Sequence, residues 1–129
     1  ENEALLTICD KDYKTLLALL VTHPTKALQE LLEELEKARI VPIAEIPDNI
    51  VRLHRTVKLL DLDSKIESEF MLVLPYEADI KAQKISILAP MGTALIGLRV
   101  SQYYQWTMPK GNKRRFQVLE VSDNIGNNK

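Results

Sequence analysis

The sequence predicts an α+β fold: an N-terminal antiparallel helical hairpin, then a mainly antiparallel sheet packed on one short helix. Three observations carry that prediction. Apolar residues recur at helical spacing from Asp10 to Arg39. Beyond a Pro-bearing stretch the chain turns to short runs of β-branched and apolar residues separated by turn signals. One Ala- and Leu-containing segment ending near Gly97 breaks that series. The expected organisation is a hairpin over 1–41, a linker over 42–49, a sheet domain over 50–122 and a frayed tail over 123–129.

In the first helix, Tyr13, Leu16, Leu17 and Leu20 fall at i, i+3, i+4 and i+7. Asp10 is placed to cap it, because a carboxylate accepts from the free N–H groups of a first turn. Thr22-His23-Pro24-Thr25 interrupts the stripe, with Pro24 tolerated in the first turn of a new helix. Leu28, Leu31, Leu32, Leu35 and Ala38 then repeat it. A short connection makes the helices antiparallel neighbours, each ~20 Å long at 1.5 Å per residue. Pro42 and Pro47 mark the linker. Strands are predicted over 50–53, 56–62, 68–74, 84–88, 103–108 and 114–122, with turns at Asp61-Leu62-Asp63-Ser64 and Pro109-Lys110-Gly111-Asn112. The segment 89–97 reads as a short helix with Gly97 near its C-terminal end.

Composition bounds the function. The chain has 129 residues, 46% hydrophobic and 27% charged, which is enough for one compact core. A net charge of -1 gives no global field for nucleic acid, so electrostatic targeting must come from local patches. Cys9 is the only cysteine: no internal disulfide can form, and no Cys/His cluster has zinc spacing. No apolar run reaches the ~18 residues of a membrane span, and Glu1-Asn2-Glu3 does not open a signal peptide, so a cytoplasmic location is expected. The absent initiator Met points to a natural start further upstream.

The stretch from Ile85 to Leu98 resembles the C-terminal domain of the GreA and GreB transcript-cleavage factors. There a strand ends in a Ser-Pro step, followed by a Gly, an Ala-Leu-hydrophobic-Gly turn and a strand pair joined by a Pro-x-Gly turn. Here the corresponding features are Ala89-Pro90, Gly92, Ala94-Leu95-Ile96-Gly97 and Pro109-Lys110-Gly111, with Phe116 to Val121 as the closing strand. Within that superfamily the chain resembles the Rnk type, the regulators of nucleoside diphosphate kinase. The shared features are short N-terminal helices, the segment Ile46 to Val51, Leu72-Val73-Leu74-Pro75-Tyr76, and Leu88 to Val100 followed by Trp106. Two places depart from the pattern: Ser101 stands where the family often has Gly, and Ser122 to Gly126 replaces a Tyr-Gln-Pro-containing end.

The resemblance implies a short coiled coil on an FKBP-like β-domain. It implies a bacterial RNA polymerase partner, met at the secondary-channel rim in competition with Gre factors, with nucleic acid reached only through the polymerase. Fold likeness to prolyl isomerases does not itself imply isomerase activity. That alternative needs an aromatic-lined pocket, which 5% aromatic residues do not favour.

The candidate sites follow. Leu88, Ala89, Pro90, Met91 and Gly92 read either as a structural loop entering the short helix or as the polymerase-binding loop that the resemblance implies, with Ala89 making it more apolar. The hairpin tip is Thr22, His23, Pro24, Thr25 and Lys26. Gre factors carry tip carboxylates that help hold a catalytic Mg²⁺; this tip has none, and Lys26 would repel a cation. Lys110, Lys113, Arg114 and Arg115 cluster around a Gly turn, as a solvated tip or a contact for an acidic protein surface or a phosphate backbone. Glu30, Glu33, Glu34 and Glu36 read as a solvated face with a Glu33–Lys37 pair, or as a partner contact. His23 and His54 read as exposed loop residues, Asp61 and Asp63 as turn residues, Cys9 as a packing residue and Trp106 as core or rim. No catalytic residue, cofactor or metal is expected: the chain has no nucleophile triad, EF-hand ligand spacing or phosphate-binding Gly loop.

Overall fold

A computed structural model describes residues 6–107, 111 and 113–123, without the side chains of Trp106 and Thr107. The element order is β1 (Thr7–Cys9), α1 (Asp10–Thr22), α2 (Lys26–Leu35), β2 (Arg39–Val41), β3 (Thr56–Asp61), β4 (Glu67–Val73), β5 (Lys84–Ser86), α3 (Pro90–Leu95), β6 (Tyr103–Thr107) and β7 (Lys113–Ser122). Strands β3 to β7 form a five-stranded sheet in the order β5-β4-β3-β7-β6, antiparallel except for the parallel β4–β5 edge pair.

Side-chain alternation sets the buried face of the sheet. In β3, Val57 and Leu59 point into the core, and Asp61 takes the next inward position. In β7, Phe116 and Val118 face inward. The β3–β7 register then shifts: Lys58 pairs with Glu120 but Leu59 with Val118, leaving Leu119 as the extra residue of a bulge. The bulge reverses parity, so Val121 packs on the core while Glu120 is exposed, 3.8 Å from Lys58.

The helices share that core. Leu16 and Leu19 of α1 and Leu28, Leu31, Leu32 and Leu35 of α2 are buried in one cluster with Val57, Leu72, Leu95 and Val118. The α2 stripe is the one read from spacing. In α1 the buried face is rotated: Leu19 is buried, while Leu17 is 42% exposed.

Three local expectations change. Cys9, not Asp10, caps α1, its Sγ accepting from the Asp12 N–H at 3.4 Å. The Asp10 carboxylate instead accepts from the Ile43 N–H at 3.2 Å, tying the segment after β2 to the start of α1. Pro24 lies before the α2 cap rather than inside its first turn; Thr25 is the cap, its hydroxyl accepting from the Leu28 N–H at 3.1 Å. The parallel β1–β2 pair, Thr7 to Arg39 through Cys9 to Val41, was not anticipated. The run 50–53 forms no strand; it contributes a single bridge from Ile50 to Arg99.

Candidate functional site

The segment 88–92 is built on the end of β5. The Ile87 N–H donates to the Val73 carbonyl at 2.8 Å, and Ile87 is fully buried. The Ser86 hydroxyl accepts from the Leu88 N–H at 3.0 Å, and the Ser86 carbonyl accepts from the Ala89 N–H at 2.9 Å. Pro90 opens α3, where a missing N–H costs nothing and a fixed φ suits the helix. Thr93 returns two bonds, its N–H to the Ala89 carbonyl at 3.1 Å and its hydroxyl to the Pro90 carbonyl at 3.2 Å.

The five residues of that segment have different surroundings. Leu88 and Met91 pack partly on the core, and Ala89 is half-buried. Pro90 is the exposed one. Gly92 is buried so tightly that a Cβ there would lie 2.8 Å from the Ser86 carbonyl oxygen and 2.9 Å from the Ile87 backbone. It sets how closely α3 approaches the end of β5.

A groove of about 750 Å³ runs between α2 and α3. Pro90, Thr93 and Ala94 form the α3 wall, and Leu31, Leu98 and Tyr104 give an apolar lining. Ala27, in the first turn of α2, lines the same groove, whereas none of Thr22, His23, Pro24, Thr25 and Lys26 does. Glu30, Glu33, Glu34 and Glu36 line its α2 side with Lys37. The expected Glu33–Lys37 pair does not form: among the described residues neither group has an ion-pair partner.

The connection itself carries no carboxylate. The Thr22 hydroxyl bonds the Leu19 carbonyl at 3.3 Å and lies 2.9 Å from His23 Nδ1. Thr22, Pro24, Thr25 and Lys26 are exposed and His23 is half-buried.

Two members of the basic cluster, Arg114 and Arg115, are paired with aspartates of the Asp61–Ser64 turn. Arg114 donates to Asp61 Oδ2 and stacks over the Phe116 ring, 5.4 Å from its centroid. Arg115 meets Asp63 twice, through its guanidinium at 3.0 Å and its backbone N–H at 3.3 Å. Asp61 also accepts from the Asp63 and Ser64 N–H groups at 2.9 and 3.2 Å, which makes the turn read from Asp61 to Ser64. The Arg114 guanidinium, with these amides, holds the Asp61 carboxyl down at about 2. Lys113 is exposed, and Lys110 lies outside the described residues, as do the Trp106 side chain and the tail from Asn124.

Two other ionisable groups are tied into the fold. His54, in a left-handed backbone conformation with φ 65°, sits 2.7 Å from Glu77 Oε1, which also accepts from the Leu74 N–H at 3.0 Å. The His54 contact, then that amide, lower the Glu77 carboxyl. Asp12 is buried, accepts from the Leu53 N–H at 3.2 Å, and is pushed up by desolvation. Among the described residues no cluster of three or more His, Cys, Asp or Glu is arranged to hold a metal ion, and no helix is long and apolar enough to cross a membrane.

A short helix packed closely on a strand end, beside a mainly antiparallel sheet that shares its core with two more helices, defines the class: a compact α+β module that presents a loop and a groove. The family described as "Transcription elongation factor, GreA/GreB, C-term" matches residues 46–123, so the chain belongs to the GreA/GreB transcription elongation factor family. Transcription elongation factor GreA of Thermodesulfovibrio yellowstonii is 43% identical over 95 residues, covering 74% of this chain and 60% of that protein. GreA of Rickettsia canadensis is 34% identical over 94 residues, covering 73% and 57%. The chain thus spans less than two thirds of these relatives. Among solved structures, a prokaryotic transcription elongation factor GreA/GreB from Nitrosomonas europaea superposes with a TM-score of 0.78 at 34% identity, covering 93% of this chain and 99% of that one.

Proposed function

We propose that the chain is an RNA polymerase-binding regulator of the Rnk type that docks beside the secondary channel, competes with Gre factors and does not stimulate transcript cleavage. The observation that carries this reading is a contrast within one fold. The segment bearing the family resemblance, Leu88 to Gly92, is tied to Ser86 and Thr93 by hydrogen bonds, with Pro90 presented to solvent. The connection between α1 and α2, where Gre factors place their metal-binding carboxylates, has none. Ligation of Mg²⁺ needs hard anionic oxygens, and Thr22 to Lys26 offers only hydroxyls, an imidazole and an ammonium. The buried faces of α1 and α2 also support this reading, because they spend their length on the common core instead of extending as a long coiled coil. A polymerase partner gives the chain a cytoplasmic site of action and an indirect relation to nucleic acid.

The test uses backtracked elongation complexes. The chain alone should release no 3′ fragments above background. Added with GreA, it should raise the GreA concentration needed for half-maximal cleavage and leave the plateau unchanged. Factor-dependent cleavage, or a lowered plateau that excess GreA cannot restore, defeats the proposal.

A further inference from the structure

We infer that the α2–α3 groove receives a basic amphipathic segment of a protein partner, with an apolar side chain on its lining and Lys or Arg groups toward α2. The inference rests on the docking reading above and extends it, since Pro90 belongs both to the loop and to the groove wall.

The groove is large enough for a short segment: about 750 Å³ falls within the ~300–1,000 Å³ of ligand clefts. Its chemistry is two-sided. Leu31, Leu98 and Tyr104 supply an apolar surface at its base. Glu30, Glu33, Glu34 and Glu36 set four carboxylates against the single ammonium of Lys37 among the lining residues. None of these five has an ion-pair partner among the described residues, in contrast to Arg114 and Arg115, which are paired with Asp61 and Asp63. The carboxylates therefore remain available to a cation brought by another molecule, and such complementarity steers encounter and fixes register. A membrane of anionic lipid or a nucleic acid backbone would be repelled by the same four groups.

The probe is a short synthetic peptide with Lys and Leu at helical spacing, followed by backbone amide NMR of the full chain. A second peptide with Glu replacing Lys, and a single-stranded RNA, serve as controls. Shifts should concentrate at Ala27, Thr93 and Ala94. Binding should weaken as salt rises from about 50 to about 500 mM, where the Debye length shrinks well below 10 Å. The double variant E30Q/E34Q alters exposed positions only, so it should keep its fold and lose about tenfold in peptide affinity. Scattered shifts, equal binding of the Glu peptide or the RNA, or an unaffected variant overturns the groove proposal.

Polymerase capture by the wild type and by E30Q/E34Q separates the two readings. Failure of the wild type to capture polymerase overturns the regulator reading, while localised peptide shifts would still support the groove. Capture undiminished in the variant overturns the groove as part of the polymerase contact and leaves the regulator reading standing.

Discussion

The two charged regions of this molecule are organised in opposite ways. At the turn between β3 and β4 and the start of β7, charges hold the structure together: Asp61 binds Arg114 and two backbone amides, and Asp63 binds Arg115. At the α2–α3 face the structure is held by apolar and backbone packing, through Leu31, Leu95 and the close seat of Gly92, and the glutamates lining the groove have no ion-pair partner among the described residues. Charge clusters that look alike in a sequence therefore differ in what they leave for a partner. The two arginines of the basic cluster are paired within the chain, whereas the glutamates lining the groove have no ion-pair partner among the described residues.

The largest effect should come from disturbing the packed side. Gly92→Val puts a branched side chain where even a Cβ meets backbone at 2.8 Å, and backbone cannot swing aside as a flexible side-chain end could. The expected cost is about 3 kcal/mol or slightly more, at the top of the usual range for overpacking, read as a fall of ~10 °C in the unfolding midpoint. A midpoint within ~2 °C of wild type would show that α3 is not fixed by this contact.

Much of this architecture was legible in the sequence. Strands β3 to β7 were marked by apolar runs and turn residues, and α2 by an unbroken Leu stripe. What escaped reading depends on distant partners. Three-residue strands such as Thr7–Cys9 and Arg39–Val41 carry no period, and their pairing joins residues on either side of both helices. Asp10 looked like a cap, but its carboxylate goes to Ile43 on a segment beyond α2. Glu30, Glu33, Glu34 and Glu36 are visible in the sequence as an acidic face, yet the groove they border exists only once α3 packs alongside. The Asp61–Arg114 pair links the β3–β4 turn to β7, and neither residue alone announces the other.

Next in size is a change at the proposed contact. Ala89→Glu places a carboxylate in the segment beside Pro90, and burying an unpaired charge in an interface should weaken polymerase binding by about 2–4 kcal/mol, or ~30- to 1000-fold. Ala89 is half-buried in the free chain, so circular dichroism should first confirm that the variant folds. Unchanged affinity in a folded variant would reduce Leu88 to Gly92 to a structural element.

The charged side should reveal itself through acid sensitivity. With its carboxyl held at about 2, below the usual value near ~3.9, folded Asp61 resists protonation more than the unfolded chain does. Its stabilisation is complete above the unfolded value and is lost as pH falls toward about 2. Asp12 runs the other way: burial raises its pKa, so the fold disfavours its charged form and protonation in acid relieves that cost. Urea midpoints followed from neutral pH into acid should therefore fall less steeply for Asp61→Asn than for wild type, with the difference confined to the region below the unfolded value. Parallel profiles would mean that the Arg114 contact does not persist in solution.

The smallest effect is expected at Arg115, and it sharpens the comparison most. Arg115 and Asp63 are both about half exposed, so their pair competes with water and salt on equal terms. Such pairs contribute ~0–1 kcal/mol. Arg115→Gln keeps the backbone bond to Asp63, which uses the N–H and not the guanidinium. Stability should change by less than ~1 kcal/mol, and polymerase affinity by less than ~3-fold, because a guanidinium already facing an aspartate has less field to offer an acidic surface. A fall of tenfold or more, with a shallower salt dependence of binding, would show that the pair opens on contact and that the basic end of β7 belongs to the docking surface after all.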